Sequence, residues 1–190
     1  MSPLAVDCVI KVGGGVLARA DTFDAVMAEI SRASREAALL VPGGGPFADT
    51  VRDIDRQVGL SDDAAHWMAI LAMDQYAHLI ASRLPSGEVV CGPDEIESAL
   101  KRRRTPVLAP YQWLHDVDPL PHSWDVTSDS IAAWVAGQVG AERLVLVKPA
   151  GASGLAVVDP CFNSVLSPRI KATIVTADRI EVLRTVAAGL

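Results

Sequence analysis

"VDCVIKVGGG", residues 6–15, runs β-branched and apolar residues around one lysine and stops in three glycines. A short apolar run closed by a glycine turn reads as a strand buried on both faces. The pattern returns at 37–47, "AALLVPGGGPF", where residues 37–41 form a second buried strand that also ends in a glycine triplet. Pro46 suits a first helical turn, which "FADTVRDIDRQV" continues. Between the two strands Phe23, Val26, Met27 and Ile30 recur at helical spacing over 21 to about 35, with Asp21 or Thr22 as cap.

The alternation continues outward. Residues 61–84 carry a serine cap, an acidic first turn and an apolar stripe, and form the longest predicted helix. Strands are expected at 88–90, 105–110, 143–148 and 171–175, with short strands around "LAVV" (155–158) and "SVL" (164–166). Helices are expected at 94–100, about 127–139 and 178–188. Strands apolar on both faces and separated by helices imply a three-layer α/β/α sandwich around a mainly parallel sheet. No linker or repeat divides the chain, so residues 1–190 read as one domain.

Composition narrows the partners. Half of the 190 residues are hydrophobic and 21% are charged, enough apolar surface for a folded core. No apolar run approaches the roughly 20 residues of a membrane span, and the first residues lack a basic stretch followed by an apolar one, so a cytoplasmic location without a membrane partner is expected. A net charge of −6 argues against nucleic acid. The basic run at 101–104 reads as a solvated helix end. Cys8, Cys91 and Cys161 lack paired spacing and read as small buried hydrophobes.

The glycine triplets carry the first chemistry. In a parallel α/β sheet ligands bind at the carboxyl ends of the strands, where Gly13, Gly14, Gly15 and Gly43, Gly44, Gly45 both fall. Glycine lets several N–H groups face one anion, and a helix start adds the positive end of its dipole. Neither G-x-G-x-x-G nor G-x-x-x-x-G-K-[ST] is present in register. Lys11 stands inside an apolar strand, where an ammonium is costly unless an anion or carboxylate meets it. Lys148, at a strand end, and Lys171, at a strand start, are candidates for the same rim.

"KVGGGVL", "VPGGGPF", "DVTSDSIAAWVA" and "LVLVKPAGASGL" occur in this order over about residues 9–155. Together they resemble the amino acid kinase superfamily, which includes acetylglutamate, aspartate, carbamate and uridylate kinases. "PGGGPFADTVR", "AAHWMAILAMDQYA" and "LPHSWDVTSDSIAAW" further resemble its branch of aminomethylfuran phosphate kinases of methanofuran biosynthesis. That likeness implies transfer of the γ-phosphoryl of ATP, with Mg²⁺, onto a small phosphate monoester, and a homo-oligomer of two or more copies. It implies an acceptor-binding part over about 1–115 and a nucleotide-binding part over about 116–190.

By the same likeness, Lys11 neutralises the β,γ-phosphates and the amides of Gly13 and Gly14 hold them. Gly43, Gly44 and Gly45 cradle the acceptor phosphate. Asp129 orients the lysines, and Lys148, Gly151 and Gly154 face the nucleotide. Gly15 departs from the serine usual in relatives, and the loop after Lys148 lacks an aspartate found in some. For the acceptor, Asp62, Asp63, His66, His122, Trp124, Asp125 and Thr127 are candidates, since a cationic furan needs a carboxylate and aromatic walls. A nucleoside monophosphate or acyl kinase and a non-catalytic storage subunit are the alternatives. A metal cluster at His122, Asp125 and Asp129 is disfavoured, because the other histidines show no paired ligand spacing.

Overall fold

A computed structural model describes residues 6–33, 37–152 and 157–189. Strand β1 (Cys8–Val12) passes through a 3-10 turn (Gly14–Ala18) into α1 (Ala20–Ala33) and β2 (Ala38–Pro42). Helices α2 (Gly45–Val58) and α3 (Asp62–Ser82) follow, then β3 (Gly87–Val90), α4 (Pro93–Lys101) and β4 (Thr105–Leu108). The second half holds α5 (Tyr111–Val117), α6 (Ser128–Val139), β5 (Arg143–Lys148), α7 (Phe162–Val165) and β6 (Lys171–Thr176). It closes with a 3-10 segment (Ala177–Val182) and α8 (Leu183–Ala188).

All six strands are parallel, in the order β3-β4-β2-β1-β5-β6. Chain order reverses between β1 and β5, which opens a crevice at their carboxyl ends. Strand alternation divides the side chains between two cores. Val9, Leu39, Val41, Leu144 and Leu146 pack towards α4, α5 and α6. Ile10, Val12, Leu40, Val145 and Val147 pack towards α1 and α8. The long helix α3 contributes Ile70 and Met73 to the first core and Tyr76, Ala77 and Ile80 to the second. The result is the α/β/α sandwich expected from the sequence.

The local differences have local causes. Ser164 and Val165 belong to α7 and Leu166 caps it, so 164–166 form no strand, and Val157 and Val158 lie outside any strand. Leu155 and Ala156 fall outside the described residues. The terminal helix is broken at Arg179, whose φ of −128° is not helical. Helix α5 has no signature in the sequence, because its seven residues, "YQWLHDV", bury only Leu114 fully and show no stripe. Cys8 is buried, whereas Cys91 and Cys161 are only partly covered.

Candidate active site

Lys11 and Lys148 end up side by side through strand register. Lys11 pairs with Leu146 across β1 and β5, and Lys148 lies two residues further along the same face. Both ammonium groups therefore turn towards α6, which presents Asp129 from its first turn. Lys11 Nζ lies 2.9 Å from Asp129 Oδ1, and Lys148 Nζ donates to Asp129 Oδ2 at 2.5 Å. The three residues are 4%, 9% and 4% exposed for Lys11, Lys148 and Asp129, respectively, so the cluster is a desolvated one.

Its electrostatics are uneven. Burial pulls the Lys11 ammonium below the ordinary lysine range, and the Lys148 charge adds to that, while Asp129 and Asp159 oppose it. Burial pushes the Asp129 carboxyl up, but the two lysines more than reverse this and leave it below the usual carboxylate range. Asp129 Oδ1 is buried and is met by the Lys11 ammonium as an ion pair. Two lysines share Asp129, which leaves their ammonium groups placed to meet a further anion.

The glycine triplets touch backbone to backbone. A Cβ on Gly14 would stand 2.4 Å from the Gly45 nitrogen, and one on Gly43 would stand 2.7 Å from the Gly14 nitrogen. The Gly13 amide donates to Val147 O at 2.8 Å and the Gly43 amide to Val12 O at 2.7 Å. Those two N–H groups extend the sheet and are unavailable to a phosphate, contrary to the expectation for both. Gly14, Gly15, Gly44 and Gly45 stand at helix starts, where N–H groups lack an intrahelical acceptor. A Cβ at Gly15 would press on the Pro149 ring at 3.1 Å, which accounts for glycine there. Gly45 holds a left-handed φ of +56°.

A pocket opens beside α6, lined by Gly44, Ala48 and Arg52 of α2, by Asp62, Ala65, His66, Ala69, Ile70 and Met73 of α3, and by Ser123 to Ser128 excepting Asp125. Trp124 forms one wall. Its indole N–H donates to Asp55 Oδ2 at 2.8 Å, and the Arg52 guanidinium lies 5.0 Å from the ring centroid. His66 is pushed down to about 4 by burial and then by the neighbouring His122, so its ring is neutral at pH 7. His122 stacks on His66 with centroids 4.1 Å apart. Its ring nitrogens face Asp63 at 2.6 Å and Asp118 at 2.8 Å, and these two contacts hold its pKa above the ordinary value.

Three expected residues stand apart from this arrangement. Asp63 is turned to His122, and it is Asp62 that lines the pocket. Asp125 is exposed and absent from the pocket wall. Lys171 opens β6 beside Arg143 and so lies at the opposite rim of the parallel sheet. Gly151 sits exposed in the turn after β5 with φ +74°, and Gly154 lies outside the described residues.

Thr127 caps α6, its hydroxyl accepting from the Asp129 amide at 3.4 Å. A residue that the sequence did not single out, Asp159, takes up both Thr127 and Ser130. Its Oδ2 accepts from Thr127 N (3.0 Å), Thr127 Oγ1 (2.7 Å) and Ser130 N (3.0 Å), and its Oδ1 from Ser130 Oγ. A second hollow, lined by Thr127, Asp129, Val157 to Pro160 and Asn163, opens at this side of α6. Among the described residues no group of three metal-ligating side chains exists. No described helix is long and apolar enough to cross a membrane.

An α/β sandwich with lysines at two adjacent strand ends and paired glycine turns defines a class, and residues 8–151 match the model of the amino acid kinase family. The chain belongs to that family. It is 23% identical over 140 residues to [5-(aminomethyl)furan-3-yl]methyl phosphate kinase of Methanocaldococcus jannaschii, covering 73% of this chain and 63% of that protein. The chain thus spans less than two thirds of this relative's length. In fold it is similar to uridylate kinase from Archaeoglobus fulgidus (TM-score 0.71, 17% identity, 97% and 96% of the two chains). It is equally similar to UMP kinase from Ureaplasma parvum (TM-score 0.71, 15% identity, 95% of each).

Proposed function

We propose that the protein is a kinase that moves the γ-phosphoryl group of ATP onto the phosphate of a small monoester, an aminomethylfuranylmethyl phosphate, releasing ADP and a diphosphate ester. The observation that carries this reading is the buried Lys11–Asp129–Lys148 cluster at the crevice between β1 and β5, with a hollow on each side of the α6 start. Phosphoryl transfer needs positioning and charge neutralisation more than covalent help from the protein. An acceptor phosphate is already ionised at pH 7, so no general base is required.

In this reading the acceptor occupies the Gly44 to Trp124 pocket, within about 1–115 and the start of α6, and the nucleotide lies towards 116–190. The Gly14, Gly44 and Gly45 amides and the two lysines neutralise the transferring group. Arg52 and Asp62 give the pocket one cation and one carboxylate above an apolar floor of Ala65, Ala69, Ile70 and Met73. That combination favours a flat apolar body with an anionic end and a cationic end; Asp62 would receive the aminomethyl group and Trp124 and His66 would flank the ring. Both oxygens of Asp129 face lysine ammonium groups, so in this reading Asp129 orients Lys11 and Lys148 and holds no metal itself. Mg²⁺, when bound with the nucleotide, would neutralise part of the phosphate charge.

ADP release with Mg-ATP, measured against the aminomethylfuran phosphate, UMP and N-acetylglutamate, tests the proposal. Acceptor-dependent ADP and a diphosphate ester from the furan substrate are expected. UDP or an acyl phosphate would overturn the acceptor assignment, and no ADP from any acceptor would overturn the kinase.

A further inference from the structure

We propose that Asp159 is a positioning residue for phosphoryl transfer, holding the start of α6 so that Asp129 stays between Lys11 and Lys148. This rests on the kinase reading for its effect on turnover, though not for its effect on the lysines. One carboxylate, 8% exposed, accepts four hydrogen bonds: from the amide and hydroxyl of Thr127 and from the amide and hydroxyl of Ser130. Those two residues bracket Asp129 in the first turn of α6, so the backbone that carries Asp129 is clamped on both sides.

Capping alone does not call for this arrangement. Thr127 already supplies an ordinary cap from its own side chain. Asp159 adds a carboxylate from a segment 29 to 32 residues further along, beyond β5. A single partner would leave α6 free to pivot about its axis. Two partners one helical turn apart set that rotation, and the rotation decides whether Asp129 reaches both ammonium groups at 2.5–2.9 Å. The clamp also ties the segment lining the second hollow to the lysine cluster, so a ligand that moves Val157 to Pro160 moves Asp129.

The same carboxylate acts on Lys11 through space. The charges facing Lys11 are Asp129 on α6, Lys148 on β5 and Asp159, and the last of these favours the ammonium form. Asp159→Asn removes that support and places an amide N–H₂ against donors that need acceptors.

Two variants and two readouts test the proposal. Asp159→Asn is expected to lower kcat about 10- to 100-fold, the range for partners that orient a reacting group, with acceptor KM unchanged. The alkaline limb of its kcat profile should move to lower pH, because Lys11 gives up its proton sooner. Ser130→Ala, which removes one donor only, should show a smaller change of the same sign. Titration of isotopically labelled lysine side chains by NMR reads Lys11 among four lysines without any turnover, and should give a lower Lys11 midpoint in Asp159→Asn. Unchanged kcat and an unchanged Lys11 midpoint in both variants would overturn the proposal. So would a loss of thermal stability with the Lys11 midpoint kept, since that is what a merely structural cap predicts. If the wild-type protein releases no ADP the kinase reading fails, and the NMR titration still decides the positioning role.

Discussion

Lys11 is the residue on which stability and function pull in opposite directions. An ammonium at 4% exposure is tolerable because Asp129 lies 2.9 Å away, and Asp129 is tolerable because two lysines share it. Removing Asp129 strands two buried ammonium groups, and breaking a buried pair costs about 3–5 kcal/mol. Asp129→Leu should therefore lower the unfolding free energy by about that much and abolish turnover, as read by urea melts and ADP release. The triple change Lys11→Met, Asp129→Leu, Lys148→Met should recover most of the stability and none of the turnover, since apolar replacement of a whole buried ion cluster is often neutral. A triple variant as unstable as the single one would show that these charges hold the fold together. The lysine in an apolar strand was legible in the sequence because its cost there is so high. Asp159 was not: one aspartate before a proline has no local signature, and its four bonds all reach back to α6.

At the scale of elements, α2 and α3 show how a helix face is chosen by packing. Gly44, Ala48 and Arg52 recur every four residues, which places them along one face of α2 towards the pocket. In sequence that face was indistinguishable from the solvated one. Asp62 and Asp63 are adjacent first-turn acids, and a rotation of about 100° per residue separates their roles. Only Asp62 looks into the pocket, whereas Asp63 meets His122. The wall opposite depends on one bond from α2, Trp124 Nε1–H to Asp55, and Asp55 also accepts from the Leu60 amide at 2.9 Å. A hydrogen bond to a charged group is worth about 1.5–3 kcal/mol, so Asp55→Ala should loosen Trp124. The expected result is an acceptor KM raised about tenfold, equivalent to 1.4 kcal/mol, with kcat nearly kept and the Trp124 fluorescence shifted to the red. A lowered kcat with unchanged KM would remove Trp124 from acceptor binding.

For the whole molecule, the buried cluster links folding to pH with a sign that differs from activity. The folded-state pKa of Lys11 lies below that of an exposed lysine. Between the two values the unfolded chain holds a proton that the folded chain has lost, so this group adds stability as pH rises. Turnover should fall over the same window if, as proposed, it is the Lys11 ammonium that meets the phosphates. Asp129 works on the acid side: its folded pKa is depressed, so its contribution is present above the ordinary carboxylate range and is lost as pH falls through the folded value. Urea melts from pH 4 to 10 on wild type and Lys11→Met check this, with the alkaline gain expected in wild type and absent from the variant. The parallel sheet makes the coupling possible, since it brings β1 and β5, more than a hundred residues apart in the chain, into register at Lys11 and Leu146.

The class of fold followed from the sequence by itself, because continuous apolar strands between amphipathic helices bury themselves in few ways, and glycine triplets after strands mark where the ligand face lies. Lys11 stood out because an ammonium is costly in an apolar strand, Lys148 was a candidate from its place at a strand end, and Asp129 came from the resemblance to the family. What only the tertiary structure decided was which groups face one another. Gly13 and Gly43 turned out to spend their amides on the sheet, only Asp62 of the Asp62–Asp63 pair lines the pocket, and Asp159 reached across to clamp α6. Those outcomes depend on strand register and helix rotation, which are set by the packing of the whole core and leave no trace in the spacing of neighbouring residues.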